Sequence, residues 1–219
     1  MVGCVHELDE LCASRALRAG SELPDGALLF VNLAPKTLEL DSSGNDWMLE
    51  GVEGAGLPPG RVVIEVTERI GAHTGAVIES LVRLRDQGFL IALDDVGTGN
   101  AGLEMLRKIG AEYVKLDRSI VAVAATDPNA RAVLMAMATF ARQTGAFVIA
   151  EGIEDEETLE FLRGVEALDA RPGTIIQGGQ GFKLGYPSPQ MPRATGGKAS
   201  APAAGAPSGP SRSRHRSSR

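Results

Sequence analysis

Short apolar segments recur along the chain, each followed by a polar or glycine-bearing stretch: LLFVNLA at 28–34, VVIEVTE at 62–68, FLIALDD at 89–95, YVKLD at 113–117, FVIAE at 147–151 and a weaker TIIQGGQGF at 174–182. They are rich in Val and Ile and apolar almost throughout, the pattern of parallel strands covered on both faces. Between them the periodicity turns helical. AVIESLVRLRDQG repeats apolar residues at Val77, Ile78, Leu81 and Leu84 and closes at Gly88, and ARAVLMAMATFARQTG does so at Val133, Leu134, Met137, Phe140 and Ala141 and closes at Gly145. DEETLEFLRG carries three acids in its first turn, favourable to the helix dipole. HELDELCASRALRA, at 6–19, puts Leu8, Leu11, Cys12 and Leu17 on one face with Gly20 as the stop, and Cys4 and Cys12 are expected as small buried or half-buried thiols on it. Strand and helix alternate, which predicts an α/β fold on a parallel sheet.

Each predicted strand ends on a polar residue: Asn32, Glu65, Asp94 with Asp95, Lys115, Glu151 and Gln180. Successive spacings are 33, 29, 21, 36 and 29 residues, close to the ~30 of a βα unit. In an open doubly wound sheet strand ends spread along a line, whereas in a β/α barrel they all face one mouth. A converging polar set therefore favours a (β/α)8 TIM-like barrel. Such a barrel has eight strands and typically ~250 residues, so six predicted strands make it incomplete, with the deficit expected at the N-terminus.

Composition narrows the class. With aromatics at 4% of 219 residues, the core must come from Val, Ile, Leu and Ala. Two cysteines without a CxxC pair exclude a disulfide scaffold and a structural zinc site. No apolar run reaches the ~18 residues of a membrane helix, and the start, MVGCVHELDE, is unlike a signal peptide, so a cytoplasmic protein without a membrane partner is expected. From Met191 onward there are six bases and no acid, which leaves residues 1–190 with 16 bases against 28 acids, or −12. That balance argues against duplex DNA as a partner. The Ala/Gly/Pro/Ser/Arg composition of 191–219 cannot offset its ordering entropy, so the expected organisation is a partial barrel domain at 1–190 and a disordered basic tail at 191–219.

The strand-end side chains offer oxygen donors, the preference of hard cations such as Mg2+, Mn2+ or Ca2+. Carboxylates this close raise one another's pKa unless a cation intervenes. One divalent ion, or two bridged near Asp94 and Asp95, removes the conflict and suits phosphodiester hydrolysis. Lys115 could orient the attacking water or stabilise charge on the phosphate. Any one of these acids could instead cap a helix or pair at the surface; the whole set is hard to explain that way.

VNLAP, IEVTE, ALDDVGTG, YVKLDRSIV, VIAEGIE and QGFKLGYPSP, in this order and spacing from about His6 to Pro189, resemble the EAL domain family, bacterial phosphodiesterases that linearise cyclic di-GMP to pGpG. The resemblance implies metal-dependent hydrolysis with two Mg2+ or Mn2+ ions, Asn32, Glu65, Asp94 and Asp95 as ligands, Lys115 as the catalytic lysine holding the nucleophilic water, and Glu151 as a ligand or base at the second metal. It makes Gln180 a supporting polar contact to substrate, Glu154 an outer member of the site, and Glu68 the acid that braces the loop after Asp95. A homodimer and an upstream regulatory domain or partner protein are further implications.

The sequence departs from the family at Val96, where an aromatic is usual, and at Asn100, Ala101 and Gly102, where aromatic-Ser-Ser is usual. It also lacks the Glu-Ala-Leu segment, which in relatives precedes the helix matching 6–19 and supplies a metal-ligating glutamate. The expectation is that the two uncounted strands are those that carry it and that activity is impaired without them. A non-catalytic module binding cyclic di-GMP or a protein partner is the alternative.

Overall fold

The apolar segments all form strands in the computed structural model, which describes residues 4–41, 46–68, 74–97, 102–165 and 176–188. The strands are β1 (Leu29–Asn32), β2 (Val62–Thr67), β3 (Leu90–Val96), β4 (Tyr113–Leu116), β5 (Phe147–Ala150) and β6 (Gly178–Gly179). The helices are α1 (Val5–Gly20), α2 (Pro35–Leu40), α3 (Trp47–Ala55), α4 (Thr74–Asp86), α5 (Gly102–Ile109), α6 (Arg118–Val121), α7 (Pro128–Thr144) and α8 (Glu156–Gly164).

Neighbouring strands pair in parallel, and their order in the sheet is their order in the chain. A doubly wound sheet reverses order at a switch point, while a β/α barrel adds each strand to the same side of the last. The sequential order is therefore that of a TIM-like barrel, present as six adjoining strands, with β1 and β6 as the edges among the described residues. The proposed boundary at 190 and the basic tail lie outside the described residues.

Alternation along the strands separates two apolar layers. Ile64, Leu93, Val114 and Val148 point outward into the main core with Leu81 of α4 and Leu134 of α7, all buried. Val63, Ala92 and Tyr113 point inward and form a second, smaller cluster with Leu28, Phe30, Leu90, Phe147 and Ile149. Covering both faces is why these segments carry no polar residue until their ends.

Helix boundaries follow local chemistry. Asp127 and Asp155 accept hydrogen bonds from the N–H groups of Asn129 (2.8 Å) and Thr158 (2.7 Å), which caps α7 and α8. Gly145, at φ 78°, closes α7 in the left-handed conformation expected of a C-terminal glycine. Between residues 34 and 62 the sequence pattern predicted nothing, yet α2 and α3 form there. The start of α2 is held by Asp9, whose carboxylate accepts from the Ala34 N–H at 2.8 Å and the Thr37 hydroxyl at 2.5 Å. That support comes from another helix, so it leaves no local signal.

The expected face of α1 holds at Leu17 and is overturned at Leu8, Leu11 and Cys12. Leu8 and Leu11 are 57% and 51% exposed, both cysteines are exposed, and the buried residues are Ala13, Leu17 and Gly20. Small residues let α1 approach β1 closely: a Cβ on Gly20 would lie 2.8 Å from Leu29 Cδ2. On α7, likewise, Val133 is 40% exposed, while Leu134, Ala138 and Ala141 are buried.

Candidate active site

The inward positions at the C-terminal ends of the strands bring the predicted residues together. Asn32 pairs in register with Glu65 across β1 and β2, and its amide donates to Glu65 Oε2 at 2.8 Å. Asp94 sits two residues beyond the β3 partner of Glu65, Ala92, so the strand ends climb around the mouth. Lys115 follows on β4, and Glu151 stands just past β5.

Adjacent residues of a regular strand point to opposite faces, so Asp94 and Asp95 could not both face the mouth without an irregularity. One is present. The β3–β4 register shifts between Leu93 and Val96, and Asp95 adopts φ 57°. Aspartate tolerates this left-handed conformation better than most residues, but it remains uncommon and is concentrated at functional sites. The bulge brings oxygens of Asp94, Asp95 and Glu151 to within 4.8 Å of one another. The Asp95 N–H donates to Asp94 Oδ1 at 3.0 Å, and the Thr67 hydroxyl reaches Asp95 Oδ2 at 3.4 Å.

Lys115, only 5% exposed, places its ammonium 2.6 Å from Glu65 Oε1, 2.6 Å from Glu151 Oε1 and 3.2 Å from Asp94 Oδ1. Burial on its own would lower the lysine pKa. Hydrogen bonds to Glu151 and Glu65 and the charges of Glu65 and Asp94 outweigh it, so the ammonium is held above its ordinary value. Glu151 is also pushed up, by burial first, against the pull of Lys115 and with the charges of Asp94 and Glu65 adding to the rise. Several carboxylates share one ammonium, and the cluster keeps a negative excess. A divalent cation relieves that excess, and all-oxygen donors at this spacing fit a hard one.

The cavity, about 720 Å3 with the charged rim included, runs down the inner face past Ile149, Tyr113, Phe147 and Phe30 to Gly26–Leu28. Its volume is that of a site for a ligand of several hundred daltons. Gln180 lines the rim, and its backbone bonds both to Ala150 O (2.8 Å) and from Ile153 N–H (3.0 Å), fixing the turn beyond β5.

Two predicted residues stand apart from the cluster. Glu154 is outside the cavity wall, paired with Arg118 at 3.1 Å at an exposed position. Glu68 is buried, and its N–H donates to Asp94 O at 3.1 Å, so it touches the site through the β3 backbone. Most of the loop it was expected to brace, including Asn100 and Ala101, lies outside the described residues. The sequence reading missed Thr67 and the aromatic set of Phe30, Tyr113 and Phe147. Counting back two residues from Asn32 and Lys115 finds Phe30 and Tyr113; Thr67 had no signal, since only the bulge brings Asp95 to it.

The EAL domain family matches residues 2–168 of the chain. Over 102 residues, 46% of this chain and 20% of the relative, the sequence is 37% identical to the probable cyclic di-GMP phosphodiesterase PdeG of Escherichia coli strain K12. It is 35% identical over 102 residues, 46% of this chain and 26% of the relative, to the cyclic di-GMP phosphodiesterase RocR of Pseudomonas aeruginosa. The chain thus spans about a quarter or less of the length of these curated relatives. Among solved structures, Klebsiella pneumoniae BlrP1 in a complex with manganese and cyclic di-GMP is similar with a TM-score of 0.72 and 27% identity, covering 83% of this chain and 45% of that one. Among the described residues, no helix is long and apolar enough to cross a membrane.

Proposed function

The chain belongs to the EAL domain family, and on that premise we propose that it hydrolyses cyclic di-GMP to linear pGpG. The observation that carries the reading is the convergence of Asp94, Asp95 and Glu151 beside the Lys115 ammonium at the mouth of a cavity of nucleotide size. In this reading Asn32, Glu65, Asp94 and Asp95 hold Mg2+ or Mn2+, two ions in the full site, with Glu151 a ligand or the base beside the second. Divalent ions bound there supply an acidified water and a counter-charge for the phosphate.

The chain's own groups do the rest. Asn32 fixes one oxygen of Glu65 by hydrogen bonding and keeps its amide oxygen for a cation. Glu151, whose affinity for a proton is raised, is suited to accept one from water. Lys115 steadies the attacking water or a phosphate oxygen by charge-assisted hydrogen bonds. Gln180 contacts the substrate from the far rim, and Glu68 holds the β3 end in place. The reading also includes a homodimer, a regulatory domain or partner protein, a cytoplasmic setting, and a tail at 191–219 without a part in the core.

The test is chromatography of cyclic di-GMP incubated with the purified chain and Mg2+ or Mn2+. Formation of pGpG, lost in Asp95→Asn, supports the reading; no product and no calorimetric binding of cyclic di-GMP overturns it. The open flank beside Asn32, where β1 has no outer partner among the described residues, favours one alternative: a module that binds cyclic di-GMP without turning it over. Binding with no product under the same conditions would select it.

A further inference from the structure

The outer face of α1 is uncovered among the described residues. The side holding Ala13, Leu17 and Gly20 is buried, while Cys4, Leu8, Leu11 and Arg15 on the opposite side are all exposed. These four follow one another at spacings of four, three and four residues, the repeat of a seam along which one helix pairs with another. A single exposed leucine is ordinary on a protein surface. Here Leu8 and Leu11 adjoin within one seam, with Val5 exposed beside them, and grouped apolar side chains rimmed by charge mark an interaction site.

The charges on this face say what can cover it. At ~100° per residue, Glu7 and Arg18 fall on one flank of the seam and Val5, Cys12 and Ala19 on the other. Glu7, Arg15 and Arg18 are exposed, and none of them is in an ion pair among the described residues. Two parallel copies of α1 would set Glu7 against Glu7 and Arg18 against Arg18. Two antiparallel copies, related by a two-fold axis, bring each flank against its own counterpart with the direction reversed. The register that centres on Cys12 then sets Glu7 one residue, or ~1.5 Å, from the level of Arg18 of the second copy, and symmetry makes the pair twice. The helix dipole favours an acid at the start and a base at the end, but it is indifferent to the flank and asks for no leucines between them.

We propose that α1 is a self-association surface, pairing antiparallel with α1 of a second copy of this chain about a two-fold axis beside Cys12. Leu8 and Leu11 of the two copies fill the seam, the aliphatic stem of Arg15 covers its edge, and the Glu7–Arg18 pairs fix direction and register. The inference gives a dimer its surface, and the hydrolysis of cyclic di-GMP stands or falls without it.

Sedimentation equilibrium of the 219-residue chain from micromolar to near-millimolar concentration reads the association. One α1 helix is about 24 Å long, so the interface lies at the small end of specific ones, and a reversible dimer is expected in that range. Leu11→Asp should weaken it at least ~10-fold, as for a central apolar anchor, without lowering the melting temperature of the dilute chain, since Leu11 is exposed. Glu7→Arg and Arg18→Glu should each weaken it ~2- to 10-fold, and the two together should restore it, because the pair re-forms in reverse. A role confined to the helix dipole would leave association alone and destabilise the double variant most. With Cys4→Ser, Cys12 is the one thiol left, and a short bismaleimide should then link two copies through it. A chain that stays monomeric throughout overturns the proposal and leaves the face to another protein or segment. A dimer that Leu11→Asp leaves intact overturns it too, and a double variant that does not recover overturns the antiparallel pairing.

Discussion

Phe30 and Asn32 lie two residues apart on β1, Tyr113 and Lys115 on β4, and Ile149 and Glu151 on and just beyond β5, so the inner face of the sheet has a lower apolar half and an upper charged half. The backbone alternation that builds them is the same. In the lower half the side chains satisfy one another: the Tyr113 ring meets Phe30 edge-on at 5.4 Å and Phe147 at 5.6 Å, separations at which aromatic pairs attract. In the upper half they cannot, because Glu65, Asp94 and Glu151 share a single ammonium. A sheet selected for stability alone would carry apolar residues at both levels. The contrast sets mutually packed rings in the lower half against an excess of carboxylates over ammonium in the upper half.

The largest expected effect falls on the lower half. Tyr113 is buried at the centre of the inner cluster, and Tyr113→Ala should lower the unfolding free energy by about 3–5 kcal/mol, as for other large aromatic truncations. The loss should be the same with and without Mn2+, since nothing at this level interacts with a cation. Denaturant unfolding in EDTA and in Mn2+ checks this; a loss that Mn2+ repairs would mean the two halves are not separable.

In the upper half Asp95→Asn should reduce pGpG formation at least ~100-fold, about 2.7 kcal/mol in the barrier, with little change in metal-free stability. Asparagine keeps the volume and tolerates the left-handed backbone, so only charge is removed. Retention of more than about a tenth of the parental rate would show that Asp95 is not part of the reacting site.

The difference between the halves also sets how much of each was legible. Strand positions and polar ends could be read because parallel strands are apolar until they leave the sheet, and Asn32, Glu65, Asp94, Lys115 and Glu151 all meet at the mouth as the barrel reading requires. What could not be read depends on contacts distant in sequence. Asp9 holds the start of α2 from another helix, the small face of α1 packs because Leu29 and Leu57 crowd Gly20, and the bulge at Asp95 arises from a register shift against β4. Spacing placed Lys115 near the acids but gave no sign that it would be locked among them.

A smaller effect is expected from pH. The folded-state pKa of Glu151 is raised above 4.5, so the folded protein binds a proton there more tightly than the unfolded chain does. Its ionisation therefore costs stability as pH rises from about 4.5 through the raised value, with the cost complete above it. Lys115 has the same sign in a higher window: its stabilisation is fully present below 10.5 and is lost only as pH passes its raised value. Between these limits the metal-free Glu151→Gln variant should show a flatter stability profile on the acid side than the parent. Thermal melts in EDTA across that range measure it; equal slopes in both proteins would place the excess charge elsewhere.

The smallest effect is expected at Glu154, which the family resemblance makes part of the site and the geometry sets at its margin. Its partner is Arg118, and the two side chains are 42% and 64% exposed. Exposed pairs of this kind contribute about 0.2–1 kcal/mol and less as salt screens them. Glu154 also lies outside the cavity wall that Asp94, Lys115 and Glu151 line. Glu154→Gln should therefore leave Mn2+ affinity within about twofold and lower stability by no more than ~1 kcal/mol, a difference that fades between low and high salt. A tenfold loss of Mn2+ affinity that persists in high salt would move Glu154 into the upper half, because only a charge acting through a poorly screened path to the carboxylates could produce it.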